Sequence, residues 1–274
     1  MNENKPLLLA QRKDVEQASR HLQLHLTAML QQLTWPAVVG ISGAQGSGKS
    51  TLAAELVAQL KSHGIRAAAV SLDDYYLSKA QRQQLAQHVH PLLSQRGVPG
   101  THHIQQAIND ATAVLAGQPV ALPQFDKAQD EPAATLPAQQ LDLLIVEGWC
   151  LGVKPQTSAE LAVAVNVLEQ HEDSAGRWRH YVNSQLAGPY AGYWQLVKPL
   201  IWLKAPDWHS VCRWRAQQEQ QLWQQRGNGM TETELTRFML PFQCLTLASW
   251  QQLPQQADYT VLLDSRHNIE FSAG

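Results

Sequence analysis

The chain has 274 residues, 44% hydrophobic and 16% charged, the balance of a folded globular protein with a sizeable core; it excludes a disordered chain. A formal net charge of −2 supplies no general field for nucleic acid or an anionic membrane surface, so any bound anion must be held locally. Cys150, Cys212 and Cys244 are odd in number, far apart and without a CxxC pair, which argues against a disulfide framework or a zinc ribbon and for small core residues.

The opening MNENKPLLLAQRKD holds four consecutive apolar residues, too few for a signal-peptide core. No other run approaches the ~20 residues of a membrane span, so the expectation is a cytoplasmic protein with neither membrane nor nucleic acid as partner. Leucines at 22, 24, 26, 30 and 33 predict a helix over residues 14–33, stopped near Trp35-Pro36. An apolar run from Val38, the stretch GISGAQGSGKST (residues 40–51) and LAAELVAQLK then predict strand, loop and helix in that order. Lys61 to Gly64 end that helix, and IRAAAVSL at 65–72 predicts a second buried strand with Asp73 and Asp74 at its end.

Residues 81–141 carry scattered Pro, Gly and His around one helical segment at 104–115 and predict loops over a site. LDLLIVEG at 141–148 is the clearest strand, and PLIWLKAP (199–206) and DYTVLLD (258–264) predict two more, with helical sequence between them. Strands alternating with helices imply an α/β fold whose mostly parallel central sheet is flanked by helices on both faces. There is no internal repeat, and the short glutamine runs QQLPQQ and QQEQQLWQQ read as solvated helix surface and loop rather than as an interaction tract.

GAQGSGKS, residues 43–50, fits G-x-x-x-x-G-K-[ST], with a strand before it and a helix after it, the context that pattern requires. Glycines let the backbone curl so that successive N–H groups face phosphate oxygens, and the helix N-terminus adds partial positive charge. The nucleotide-binding residues expected here are Gly43, Ala44, Gln45, Gly46, Ser47, Gly48, Lys49, Ser50 and Thr51. Lys49 would reach the β- and γ-phosphates and the Ser50 hydroxyl would sit on Mg²⁺. The competing reading is a chance glycine turn capped by Ser47 or Ser50; the flanking elements argue against it.

The chain has no N-K-x-D base-reading motif, and LLIVEGW ends on the single acid Glu147, so neither a GTPase nor a motor ATPase is indicated. SLDDYYL instead puts Asp73 at the C-terminal end of a strand, where open α/β sheets bind ligands. A carboxylate there can take the proton of a hydroxyl attacking the γ-phosphate; helix capping or a turn is the alternative for both Asp73 and Asp74. Glu147, on an apolar strand, is costly to bury unless it faces a cation, which favours a Mg²⁺ role.

These stretches carry a resemblance. GISGAQGSGKST, SLDDYYL, RGVPGTHH, PQFDK and IVEGWCLG resemble the P-loop kinases that include phosphoribulokinase, uridine kinase and bacterial pantothenate kinase. EGWCLGVKP, VCRWRAQQE and GNGMTETELTRFMLPF are similar, more specifically, to D-glycerate 3-kinase of the plant and fungal type and its bacterial relatives. The likeness runs from about Val38 to Ile269. It implies one P-loop kinase domain over 1–274, with an N-terminal helical extension (1–36), an acceptor-region insertion (81–140) and a lid and helical region (207–245). It also implies ATP and Mg²⁺ as cofactors, Lys49, Asp73, Glu147 and Arg215 as catalytic residues with Asp73 the base, Ser50 and Glu147 on the metal, and Arg213 on the nucleotide. The helix of Arg213 and Arg215 would be a lid whose arginine approaches the transferring phosphoryl group, a role suited to a planar, permanently charged guanidinium. Two departures fall in the acceptor region: His102-His103 where relatives often carry an acid, and Gln129-Asp130-Glu131 where they carry basic residues.

A small hydroxy acid needs a cation for its carboxylate, and Arg96, Lys127, Arg177 and Arg179 are candidates, arginine offering a bidentate match. The substrate-binding set expected is Asp74, Tyr76, Arg96 and Lys127; of Tyr75 and Tyr76, one is expected only to pack. His102-His103 is expected to meet ligand or solvent. His21 and His25, spaced i, i+4, signal neither a neighbouring glutamate nor a third ligand and read as surface or core. Trp208, Trp214 and Trp223 lie around the implied lid and read as core or as residues a closing lid would bury. The sequence therefore reads as a kinase transferring the γ-phosphate of Mg·ATP to a small-molecule hydroxyl, D-glycerate giving 3-phosphoglycerate ranking first. Pantothenate, a nucleoside or another sugar acid are the alternatives within enzymes, and a nucleotide-binding regulator without turnover the alternative outside them; ATP against GTP and the oligomeric state stay open.

Overall fold

The computed structural model describes residues 5–226 and 229–270. Helix α1 (Lys5–Gln31) leads into strand β1 (Ala37–Gly43), every residue of which is buried; a strand covered on both faces has no solvent side to alternate toward, hence its unbroken apolar sequence. Helix α2 (Lys49–Ser62) turns Leu52, Ala53, Leu56 and Leu60 to the sheet, and β2 (Ala67–Ser71) follows. A short 3₁₀ turn, residues 72–75, is capped by Ser71 and Asp74, and α3 (Lys79–His88) opens on a second capping box, Ser78 with Gln81. Helix α4 (Ile104–Leu115) precedes a small hairpin of β3 (Phe125–Asp126) and β4 (Glu131–Pro132).

Strand β5 (Leu143–Gly148) leads to three short helices, α5 (Ser158–Leu161), α6 (Val167–Glu172) and α7 (Arg177–Gln185). A kinked segment at Leu186–Tyr190, in which Gly188 leaves helical conformation, joins α7 to α8 (Ala191–Leu196), and β6 (Leu200–Lys204) returns to the sheet. The long helices α9 (Trp208–Arg226) and α10 (Glu232–Gln252) precede β7 (Tyr259–Leu263) and β8 (Ile269–Glu270).

The sheet runs β2-β5-β1-β6-β7-β8, parallel throughout except for the antiparallel edge strand β8. Parallel strands put all their C-terminal ends on one side, and register does the rest: Ser71 of β2 stands opposite Glu147 of β5, and Ser42 of β1 opposite Gly148. The loops after β1, β2 and β5 therefore converge.

Several elements differ from the sequence reading. Helix α1 starts earlier, at Lys5, helix α3 and the β3–β4 hairpin lie where only loops were expected, and the edge strand β8 was not expected. The overlooked signal was the spacing of Ser78 and Gln81, a capping box. Segment 81–140 also does more than cover a site, because Ile104, Ala107, Ala111 and Val114 of α4 belong to the central core. Cys150 and Cys244 are buried, Cys212 is half-buried, and all three are free thiols. Among the described residues no helix is long and apolar enough to cross a membrane.

Candidate active site

Between β1 and α2 the backbone coils tightly, with Gly46 at φ 76° and Gly48 at φ 89°, values side-chain-bearing residues rarely adopt. A Cβ at Gly46 would lie 2.8 Å from Cβ of Trp214, so α9 packs directly on the loop, whereas a Cβ at Gly48 would enter open space. No side chain caps α2, which leaves its first N–H groups for a ligand. Lys49 Nζ donates to the Ala44 carbonyl at 3.0 Å. Burial pulls its pKa down, against the opposing pull of Glu147 and Asp73. The Ser50 hydroxyl donates to Glu147 Oε1 at 2.7 Å, joining the end of the loop to the end of β5.

Asp73, just past β2, is held from two sides. Lys127 Nζ lies 2.8 Å from Oδ2, and the Tyr76 hydroxyl donates to Oδ1 at 2.7 Å. Burial works to raise the Asp73 pKa, but Lys127 and the Tyr76 hydrogen bond together outweigh it and bring it to about 2. The same pairing, chiefly the Asp73 charge, raises Lys127. Burial and the adjacent Asp73 charge keep the Tyr76 hydroxyl protonated, as a donor.

One cavity of about 300 Å³ brings together Lys49, Ser50, Asp73, Tyr76, Arg96, Lys127, Glu147 and Arg215, with Gln45, Gly46, Gly48 and Thr51 of the loop. Arg96 pairs with Asp130 and lies over the Phe125 ring, while Arg215 reaches Glu219 at 2.7 Å. Gly43, Ala44 and Ser47 shape the loop without lining this cavity.

Two expected residues point elsewhere. Asp74 caps the turn, accepting the Ser71 N–H at 3.0 Å and the Phe125 N–H at 3.2 Å, so its carboxylate is spent on backbone. Arg213 donates to the Ser265 carbonyl and is absent from the cavity. Arg177 does not line it either, and Arg179 is a buried partner of Asp173 at 3.0 Å. Tyr75, the tyrosine that packs, donates to Asp110 at 3.0 Å, and the exposed His25 meets Tyr259 at 3.2 Å. Trp214 is buried, whereas Trp223 is exposed.

Sequence reasoning missed Trp149, Gln218, Phe238 and Phe242, all of which line the cavity. The phenylalanines sit one turn apart in RFMLPF, a helical spacing that reads as core until α10 is seen to line the cavity. His267 was missed as well: it lies in the turn between β7 and β8, stacks on Trp214 at 3.9 Å and meets the Gly46 carbonyl at 2.5 Å. It lines a second cavity of about 400 Å³ on the other side of the same loop, with Gly46, Gly48, Thr51, Trp214 and Gln218.

A phosphate loop, a lysine, a carboxylate paired with Lys127, and Arg96 gathered in one cavity at the C-terminal edge of a parallel sheet define the class: an ATP-dependent small-molecule kinase. The comparisons agree. The chain is 34% identical over 218 residues to the uncharacterized kinase mug58 of Schizosaccharomyces pombe, a match covering 74% of this chain and 77% of that one. It is 28% identical over 218 residues to the chloroplastic D-glycerate 3-kinase of Arabidopsis thaliana, covering 74% of this chain and 45% of that longer protein. The solved D-glycerate 3-kinase of Cryptococcus neoformans superposes with a TM-score of 0.70 at 25% identity, over 94% of this chain and 97% of that one. A family model described as the methylmalonyl-CoA mutase-associated GTPase MeaB matches residues 7–77, a stretch that takes in the phosphate loop, Asp73 and Tyr76 and stops before Arg96, Lys127, Glu147 and Arg215. The chain belongs to the P-loop kinase family of these relatives, the D-glycerate 3-kinases among them.

Proposed function

We propose that the chain transfers the γ-phosphate of Mg·ATP to a hydroxyl of a small hydroxy acid, D-glycerate giving 3-phosphoglycerate being the first candidate. The observation that carries this reading is the meeting of Asp73, Lys49, Arg96 and Lys127 in one cavity, in which Arg96 and Lys127 would serve the acceptor. The relatives named D-glycerate 3-kinase support the choice of acceptor.

The residues present fit a nucleotide and its metal. The buried Ser47 hydroxyl has no hydrogen-bond partner among the described residues, and the uncapped α2 N-terminus offers N–H groups to phosphate. Ser50 and Glu147 juxtapose a hydroxyl and a carboxylate, the hard oxygen donors that Mg²⁺ prefers. When bound, the metal would neutralise charge on the β- and γ-phosphate oxygens.

In this reading the loop cradles the phosphates and Lys49 reaches between them. The acceptor oxygen attacks phosphorus, the bond from phosphorus to the bridging oxygen of ADP breaks, and Asp73 takes the hydroxyl proton. Lys127 and Tyr76 keep Asp73 ionised, the state in which it can accept that proton. Arg215 is the arginine placed to offset charge on the transferring group, and Arg96 and Lys127 would orient the acceptor carboxylate. The second cavity, floored by Trp214 and closed by His267, would take the nucleoside. Asp74 and Arg213 receive no ligand role.

The test is ADP release in a coupled assay with Mg·ATP and one acceptor at a time: D-glycerate, L-glycerate, pantothenate, uridine, or none. Turnover with D-glycerate alone is expected. Turnover with another acceptor would keep the kinase and move the substrate, and none with any would favour a nucleotide-binding regulator.

A further inference from the structure

Tyr76 holds Asp73, and Tyr76 is itself clamped. One ring face stacks on His102, with centroids 4.5 Å apart and planes at 21°, while Phe125 meets it edge-on at 5.4 Å. The two backbones are tied as well: Tyr76 and His102 form an antiparallel bridge, the His103 N–H donates to the Tyr75 carbonyl at 2.7 Å, and the Leu77 N–H donates to the Thr101 carbonyl at 2.9 Å. His102 is only 4% exposed and does not line the cavity. It meets neither solvent nor the ligand space, contrary to the expectation for His102, whereas His103 is partly exposed.

Behind His102 lies Tyr190, fully buried, at the end of the kinked segment after α7. Its hydroxyl oxygen accepts the Gly100 N–H at 3.0 Å and lies 2.6 Å from His102 Nδ1. If Nδ1 carried a proton, the Tyr190 oxygen would accept twice and its own proton would be stranded in the core, on top of the unpartnered Nε2. With the Tyr190 hydroxyl donating to Nδ1, only the Nε2–H is left without a partner, so this tautomer is favoured. Burial keeps the ring neutral by lowering its pKa to about 4. Tyr190 thus sets the ring, the ring sets Tyr76, and Tyr76 sets the carboxylate.

We propose that His102 is a positioning residue for phosphoryl transfer, acting through Tyr76: the Tyr190–His102 pair holds the Tyr76 ring so that its hydroxyl fixes the Asp73 carboxylate toward the acceptor. This rests on the reading of Asp73 as the base. The device is assembled from three separate segments: the loop after β2, the turn before α4 and the kinked segment after α7.

A double-mutant cycle separates positioning from packing. Tyr76→Phe keeps the ring and removes the hydroxyl; kcat is expected to fall about tenfold, the order of one hydrogen bond to a charged group, with the KM for ATP unchanged. His102→Leu in the parent is expected to cost a similar factor in kcat at unchanged KM for ATP, and in the Tyr76→Phe background to cost nothing further. Equal losses in both backgrounds would overturn the inference, since His102 would then act otherwise than through the Tyr76 hydroxyl. Tyr190→Phe, which deletes a single hydroxyl, runs through the same cycle and gives the answer if His102→Leu fails to fold. Asp73→Asn is the separate control: full activity there would remove the base, whereas an inactive Asp73→Asn with an additive cycle would leave the base standing and remove His102 alone.

Discussion

Replacing Lys127 by methionine removes a charge while keeping an unbranched side chain of similar reach. In the folded protein Asp73 is held at about 2 against its ordinary 3.8, through Lys127 and Tyr76 and in spite of burial. A depression of that size is worth about 2 kcal/mol. The Lys127 side chain is 57% exposed, and solvent screening discounts its share to about 1 kcal/mol. The sign follows from the depressed pKa: the stabilisation is complete above 3.8 and is lost as pH falls through about 2. Lys127→Met is therefore expected to lose about 1 kcal/mol in urea denaturation at neutral pH, and the Asp73 carboxyl to titrate about one unit higher by NMR. The KM for an acidic acceptor should rise while the KM for ATP stays put. An unmoved carboxyl titration together with unchanged stability would refute the reasoning and reduce the pair to a solvated surface contact.

Three further outcomes follow from the same geometry. Asp73→Asn should bind ATP as the parent does and lose about 10²- to 10⁴-fold in kcat, the range of a general base; parental turnover in the ADP assay would reject that role. Asp74→Ala should cost about 1 kcal/mol of stability through the lost cap, with kcat within about twofold of the parent, so a large loss of kcat at intact stability would restore it to the site. Arg215→Ala should lower kcat about 10²-fold or more and Arg213→Ala should leave both kcat and the KM for ATP unchanged, a contrast that steady-state kinetics reads directly.

Local signals sufficed wherever one short segment carries its own physics. The phosphate loop is legible because glycine, lysine and serine must follow one another within a few residues between a strand and a helix. The strands are legible because a parallel sheet buried on both faces needs unbroken apolar runs, as in LLIVEG and AVVGISG. Asp73, Glu147, Arg96 and Lys127 were picked out by residue type and local setting, but their meeting in one cavity depends on the register that sets Ser71 opposite Glu147 and on the hairpin that returns Lys127 to Asp73. Sequence named Asp73 the base but also gave Asp74 to the substrate, because neighbouring carboxylates on a turn differ only in direction: one faces the cavity and the other the Ser71 and Phe125 amides. Nor could it reach Phe242, His267 or the Tyr190–His102–Tyr76 chain, whose members are distant in sequence and bear no local pattern of their own. Chain order determined the chemistry this protein carries; packing of remote segments decided which of those groups face one another, because directions and distances between elements are set by the core they share.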